Sequence, residues 1–345
     1  MNRVGVVGTG ALGFHHARIL GELPGGGCAG IHDTDAERAQ WVARELGVRA
    51  FPSLEALLAC SDAVVVSVPT DAHEAVAVAA LEQGVHVLVE KPLAPTLEAA
   101  DRMLAAADAR GCVLQVGHVE RFNPAVRAAE PYLEAPLFVE SQRLAPFSPR
   151  SADVAVVLDL MIHDVDLVQV LVGCPVERVD AVGMAVLTPR VDIANARLAF
   201  RGGAVANLTA SRVSLNRRRK LRIFQRAGYL SLDLAAGTGE FLRLRRDLPA
   251  LSGEAFPGAW LPDAGRADPD VAAAPAGVEG LVDRIPLRGD GVEPLRLQLE
   301  SFLRAVAGEA PPAVTGLQGR SALQLTLLIE ERIRDHVAHT RTAQA

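Results

Sequence analysis

"GVVGTGALGFHH" (Gly5–His16) is the stretch that decides the fold. The apolar run Val4–Val7 passes directly into Gly8-x-Gly10-x-x-Gly13, and helix-forming residues follow. Glycines at this spacing serve a tight turn, a close approach of backbone to pyrophosphate, and close helix–strand packing. The helix beyond them offers unpaired N–H groups and a positive dipole end to phosphate oxygens. Alone, such a motif can be no more than a tight turn. Its context strengthens it: "CAGIHD" (Cys28–Asp33) reads as a second strand ending in Asp33, 20 residues after Gly13. A carboxylate there accepts hydrogen bonds from both adenosine ribose hydroxyls and repels a 2′-phosphate. Thr34 and Asp35 supply no cation. The expectation is a nicotinamide-dinucleotide site built from Gly8, Thr9, Gly10, Ala11, Leu12, Gly13 and Asp33, with NAD favoured over NADP.

The pattern continues outward from this stretch. Val4–Val7, Ala29–His32, Ala63–Val68, Val85–Val89 and Cys112–Val116 are short apolar runs, as expected of strands covered on both faces. Helical segments near Leu12–Glu22, Ala36–Leu46, Ala72–Gln83 and Leu97–Arg110 separate them, which argues for a doubly wound parallel α/β sheet. The character then changes. Ser151–Gly173 reads as one long helix. Strand-like runs follow near Val176–Leu187, Ile193–Phe200, Ala204–Ser211, Arg219–Gln225, Tyr229–Leu234 and Glu240–Arg245, with no helices between. That predicts a second α/β domain with an open, mainly antiparallel sheet. Residues 1–120 are therefore expected to bind the dinucleotide, and 121–345 to bind substrate and to self-associate. A mobile loop is expected over 253–280, and helices near Glu293–Ala307 and Gly319–His336.

Composition narrows the class. Half of the 345 residues are apolar, and no apolar run reaches the roughly 18–20 residues that cross a bilayer. Strand character begins at once after Met1, without the pattern of a signal peptide. Cys28, Cys60, Cys112 and Cys174 stand far apart, which predicts buried thiols in a reducing compartment and no metal site. A net charge of −6 gives no reason to expect nucleic acid. The expectation is a cytoplasmic protein without membrane or nucleic-acid partners.

Of the 35 basic residues, Lys91 and Lys220 are lysine and the rest arginine. Lys91 follows the run Val85–Val89 in "VLVEKPLAPT" (Val87–Thr96), at the carboxyl end of a parallel strand, where such sheets bind ligands. It reads either as a loop lysine paired with Glu90, or as a compact ammonium with a tunable pKa that arginine cannot replace. In "LDLMIHDVDLV" (Leu158–Val168), Asp159, His163 and Asp166 fall at i, i+4 and i+7 of an otherwise apolar helix. Either these groups face solvent, or they form a histidine base paired with Asp159, with Asp166 free to hold a substrate hydroxyl. In the second case Asp159 should raise the His163 pKa, so that a rate set by the neutral imidazole climbs through roughly pH 7 to 8.

Together with Gly8-x-Gly10-x-x-Gly13, "VPTDAHEAV" (Val68–Val76), Glu90-Lys91-Pro92 and "GHVERFNP" (Gly117–Pro124), that helix resembles the Gfo/Idh/MocA oxidoreductase family over nearly the whole chain. The resemblance implies a Rossmann domain, a C-terminal α/β domain, and NAD(P)-linked oxidation or reduction at a carbohydrate carbon. It implies catalytic roles for Lys91, Asp159 and His163, and substrate contact for Asp166. It places His73 beside the nicotinamide, with Pro69, Thr70, Glu90 and Lys91 counted among the cofactor residues. "VAVV" (Val154–Val157) stands where many members carry glycines, next to the substrate-facing loop Ser148–Val157.

"SRVSLNRRRKLRIFQ" (Ser211–Gln225) concentrates Arg212, Arg217, Arg218, Arg219, Lys220 and Arg222 on one predicted strand region. It reads as a solvated edge or as a cationic patch for a diphosphate. With "GHVERFNPA" it is similar to the family branch near nucleotide-sugar 3-dehydrogenases acting on UDP-sugars such as UDP-N-acetylglucosamine. His118, Arg121, Asp166, Arg219 and Lys220 are the expected substrate residues. Alternatives are a dehydrogenase or reductase of a free polyol, aldose or linear tetrapyrrole, or a non-catalytic dinucleotide-sensing regulator. One open sheet face predicts a homodimer or homotetramer.

Overall fold

A computed structural model describes residues 3–23, 27–149, 154–245 and 282–344. The expected loop at 253–280 lies outside the described residues, as do residues 150–153 of the substrate-facing loop.

The first half alternates strand and helix. β1 (Arg3–Val7), α1 (Ala11–Glu22), β2 (Gly27–His32), α2 (Ala36–Leu46), α3 (Leu54–Leu58) and β3 (Ala63–Val66) come first. Then come α4 (His73–Glu82), β4 (His86–Glu90), α5 (Leu97–Arg110) and β5 (Leu114–Gly117). The strands are parallel, in the order β2-β1-β3-β4-β5. Val4, Val6 and Val64 to Val66 are fully buried, as strands covered on both faces require. Helix ends follow local chemistry. Asp35, Ser53 and Thr96 accept backbone N–H groups at the starts of α2, α3 and α5, and left-handed Gly47 and Gly111 end α2 and α5. In register, Val7 lies opposite Val66, Val66 opposite Val89, and Glu90 opposite Gly117. The loops after β1, β3, β4 and β5 therefore leave from a single sheet edge. The order reverses at β1/β3, the switch point where open α/β sheets bind ligands.

The second half holds α6 (Pro124–Ala129), β6 (Phe138–Leu144), a π-helical turn (Val157–Met161) and α7 (Ile162–Val172). β7 (Val176–Met184), β8 (Ile193–Phe200), β9 (Val205–Ser211) and β10 (Arg218–Gln225) follow, then β11 (Gly228–Asp233), β12 (Thr238–Leu244) and β13 (Val282–Arg288). The chain closes with α8 (Pro294–Val306) and α9 (Gly316–Gln344). The eight strands pair in the order β13-β12-β11-β10-β6-β9-β8-β7, antiparallel except at β6/β9. This is the expected open, mainly antiparallel sheet. Val139, Leu198, Leu208, Leu221 and Ile223 bury one face of it against Val165 and Val168 of α7 and Leu325 and Ile329 of α9. Each such side chain contributes about 1.5–3 kcal/mol, so α7 is firmly seated.

Four departures from the sequence reading matter. Within the described part of the single helix expected at Ser151–Gly173, the chain forms the π-turn followed by α7. β6 was missed because "FVESQRL" carries Glu140, Gln142 and Arg143 among its strand formers. The closing helices also return to the first half: Leu295, Leu299 and Phe302 of α8 pack with Val4, Val6, Ile31 and Leu88. α9 begins three residues before its expected start, because Thr315 and Gln318 exchange side chain–backbone hydrogen bonds as a capping box.

Candidate active site

The glycine loop after β1 gives each glycine a different task. Gly8 has φ +85°, and a Cβ there would lie 2.5 Å from the Ser67 carbonyl oxygen. At Gly13 a Cβ would sit 1.9 Å from the Gly8 carbonyl, so α1 packs against the loop only without one. Gly10 meets nothing within 4 Å; its exposed side is the open approach that a pyrophosphate needs. Ala11 and Leu12 are exposed beside it at the start of α1. Asp33 accepts from the Thr9 N–H at 2.6 Å, the Thr9 hydroxyl at 2.8 Å and the Asp35 N–H at 2.9 Å. Burial works to raise its pKa, but these donors outweigh it and hold the carboxylate ionised below its ordinary range. An ionised carboxylate still has lone pairs for ribose hydroxyls. The residues present thus fit an NAD adenosine. The sequence reading missed Arg38, whose Nε donates to the Thr9 carbonyl at 2.9 Å and whose guanidinium lies 4.6 Å over the Trp41 ring. Its signal was helical spacing: position 38 is one turn into α2, back at the glycine loop.

β4 delivers Glu90 and Lys91 to the same edge. Glu90 is buried and accepts from His16 Nε2 at 2.7 Å. Burial opposes its ionisation, yet the His16 hydrogen bond and the nearby Lys91 charge hold its pKa low. The Lys91 ammonium reaches into the second half of the chain. Nζ donates to the Asp159 backbone carbonyl at 2.7 Å and stands 3.6 Å from its carboxylate. Burial lowers the Lys91 pKa, with Asp159 and Glu90 acting the other way. It is therefore no solvated loop lysine.

His73 is placed differently from expectation. Its ring is buried, with Nδ1 2.9 Å from the Pro92 carbonyl and Nε2 3.0 Å from the Val68 carbonyl. It lies beneath the loops carrying Pro69, Thr70 and Lys91-Pro92 and bridges them: burial keeps the ring neutral, so one N–H donates to one of these carbonyls while the other nitrogen rests against the second. His118 follows Gly117, the register partner of Glu90, so it stands beside the Lys91 strand end. It is buried, burial depresses its pKa, and neither ring nitrogen has a partner among the described residues.

On the helix, the expected stripe divides among separate partners. Asp159 pairs with Lys91 and not with His163, because a neighbouring ammonium is the stronger partner for a carboxylate. His163 is partly exposed, with Nδ1 buried and unpartnered. Its pKa falls well below the ordinary value, through burial first and then the charges of Lys91, Arg143, His118 and Arg219. The expected rise in pKa is thereby reversed. Asp166 is not free either. It is buried in a two-pronged pair with Arg121, at 2.7 Å from Nε and 2.6 Å from Nη2. The fork of a guanidinium matches a carboxylate well, so these two expected substrate residues meet each other.

The basic strand also divides. Successive side chains of β10 alternate between faces. Arg219 turns inward, with Nη1 3.3 Å from Glu120. Lys220 turns to the opposite, solvent face and pairs with Asp233 at 3.0 Å, so it and Arg219 do not share a face of the sheet. Arg218 and Arg222 share that outer face, and Arg212 is buried near Asp192.

Residues 2–118 match the family model described as oxidoreductase family, NAD-binding Rossmann fold, and residues 137–231 match the Gfo/Idh/MocA C-terminal domain. The chain is 38% identical to UDP-N-acetylglucosamine 3-dehydrogenase of Acidithiobacillus ferrooxidans, over 95% of this chain and 97% of that one. The chain belongs to the Gfo/Idh/MocA family. A solved structure of that A. ferrooxidans enzyme superposes with a TM-score of 0.83 at 37% identity, over 96% of this chain and 97% of that one. The scyllo-inositol 2-dehydrogenase (NAD(+)) of Bacillus subtilis is 31% identical over 61% of this chain and 68% of its own. The Bordetella pertussis WlbA dehydrogenase, solved with NADH and UDP-GlcNAcA, shares the fold at 22% identity, with a TM-score of 0.73 over 97% of each chain. Among the described residues no helix is long and apolar enough to cross a membrane, and no His, Cys, Asp and Glu cluster could hold a metal.

This member of the family is thus an NAD-binding oxidoreductase. NAD, when bound, supplies the hydride acceptor. Near the carboxyl end of β4 the chain holds a neutral imidazole able to accept a proton and a compact, partly desolvated ammonium able to offset negative charge.

Proposed function

We propose that this oxidoreductase moves hydride between the 3-carbon of a UDP-sugar, such as UDP-N-acetylglucosamine, and NAD. His163 takes the hydroxyl proton, Lys91 stabilises the oxygen as charge develops on it, and Asp159 holds the ammonium in place. Arg219, on the inner face of β10, is the cation offered to the substrate's anionic portion, with His118 lining the same edge. The observation that carries the reading is Lys91 reaching Asp159 one turn before a neutral His163, near enough for its charge to depress the imidazole. The identity shared with a UDP-N-acetylglucosamine 3-dehydrogenase over nearly both chains supports the substrate class. A polyol reading has support of its own in the 31% identity with a scyllo-inositol 2-dehydrogenase.

The same proposal divides the chain into a cofactor domain (1–120) and a substrate and assembly domain (121–345), acting in the cytoplasm. It includes a homodimer or homotetramer formed through the outer sheet face, where Gln142, Arg197, Arg218, Lys220, Arg222 and Arg284 are exposed. NADH formation by the purified chain, given NAD and UDP-N-acetylglucosamine, free N-acetylglucosamine or scyllo-inositol, tests the substrate class. Turnover of the UDP-sugar far above the others is expected. Equal turnover of free and UDP-linked sugar would sink the nucleotide-sugar reading and leave the family standing.

A further inference from the structure

Beneath His163 runs a buried chain of alternating charge, of which the reaction just described uses only the last member, Arg219. Asp164, the residue after His163, is 2% exposed and accepts two hydrogen bonds from Arg143 of β6, from Nε at 2.8 Å and Nη2 at 2.9 Å. Arg143 is itself 2% exposed and turns its remaining arm, Nη1, to Glu120 at 2.7 Å. Glu120 is 5% exposed, accepts from Asn123 Nδ2 at 2.9 Å, and meets Arg219 Nη1 at 3.3 Å. The Asn123 amide also donates to the Leu234 carbonyl at 2.9 Å. Two carboxylates and two guanidinium groups thus alternate along the chain and balance in charge. It links α7, β6, the turn after β5, and β10. Arg219, with its side chain 36% exposed, is the member that reaches the open side.

Packing alone is a poor reason for this arrangement, since a buried ion pair can often be replaced by apolar residues without loss of stability. Its placement is more telling. One terminus adjoins the histidine and the other is the proposed substrate cation. Arginine is required at the centre because three N–H groups of one planar fork serve two carboxylates at once, and an ammonium on a flexible stem cannot hold that geometry.

We propose that Arg143 is a positioning residue that locks the His163 helix and Arg219 into one frame, so that the proton acceptor and the substrate's anionic group keep a fixed separation. The proposal rests on the nucleotide-sugar reading for the role of Arg219. Arg143 also adds positive potential at His163, together with Lys91 and Arg219, while His118 stands by with its own pKa depressed and Asp159 faces Lys91.

The test is steady-state kinetics against pH for Arg143→Lys and Arg143→Gln, with UDP-N-acetylglucosamine and NAD varied separately and melting followed alongside. In Arg143→Lys the charge remains and the fork is lost, so KM for the nucleotide sugar should rise about tenfold while KM for NAD stays unchanged. In Arg143→Gln one cation is gone and His163 holds its proton more tightly, so the acid limb of kcat/KM should move to higher pH. Folded variants with wild-type sugar KM and an unmoved limb would overturn the proposal. So would a parallel rise in KM for NAD, the mark of general loosening. If Arg143→Gln fails to fold, the KM split in Arg143→Lys decides. A wild-type chain that oxidises scyllo-inositol and no UDP-sugar would remove the nucleotide-sugar reading instead. Arg143 would then be judged by the limb shift with inositol.

Discussion

Lys91 Nζ donates to the Asp159 carbonyl at 2.7 Å, joining the end of a Rossmann strand to a π-turn 68 residues later. The ammonium is thereby desolvated, aimed and kept near a carboxylate, with the turn's backbone as its rest. A guanidinium has no compact single-donor geometry to put there. Lys91→Arg is therefore expected to lose activity nearly as fully as Lys91→Ala, with kcat down about 10²- to 10³-fold, as when one donor to a developing oxyanion is removed. NADH affinity, measured by fluorescence titration, should be largely kept. Retention of most activity by Lys91→Arg would mean that an ammonium is not needed.

The pH profile follows from two depressed groups. His163 must be neutral to accept a proton, and its pKa lies well below the ordinary value of about 6.5. Oxidation should thus be past its acid limb at neutral pH and flat there. Lys91 must stay charged, and burial brings its pKa down, so the rate should fall again at a pH below the ordinary lysine value of about 10.4. Asp159→Asn removes the leading charge that supports the ammonium, so the alkaline limb should move to lower pH while the acid limb stays. An acid limb that moves with Asp159→Asn would show Asp159 coupled to His163 after all.

Two glycines separate folding from cofactor binding. Gly10→Ala adds a methyl group to open space, so melting should be unchanged. NADH should bind about tenfold or more weakly, because the methyl stands where the pyrophosphate approaches. Gly13→Ala puts that methyl 1.9 Å from the Gly8 carbonyl and should cost stability as well as binding. Thermal melts with and without NADH separate the two, and equal melts for both variants would contradict the geometry.

Opposite faces of β10 should give opposite phenotypes. Arg219→Ala is expected to raise KM for the UDP-sugar about tenfold or more with little change in KM for NAD, since a charge-assisted contact is lost. Lys220→Ala, on the outer face, should leave both constants unchanged. Light scattering on Lys220→Ala reads the assembly separately. Matching kinetic losses in the two variants would place both side chains at one substrate site.

Spacing along the chain determined a good deal of this protein. The glycine loop, Asp33 at the end of the second strand, and Lys91 at the end of another were legible because strand and helix periods are local. In a parallel sheet, strand ends necessarily share an edge. The open, mainly antiparallel second sheet was legible for the same reason. Partners were not. Asp159 and His163 share a helical face, yet Asp159 pairs with Lys91 from the other half of the chain. Asp166 closes on Arg121, and Arg38 comes back to the glycine loop through a helical turn. The six basic residues of one strand region looked like a single patch, and the pleat sends Arg219 and Lys220 to opposite faces. The buried line from Asp164 through Arg143 to Glu120 joins residues from three separate elements, none of which announces the others. Periodicity decides which way a side chain points, and local sequence carries it. Which charge meets which, and how far burial shifts it, depends on groups brought together only when the two sheets and their helices pack.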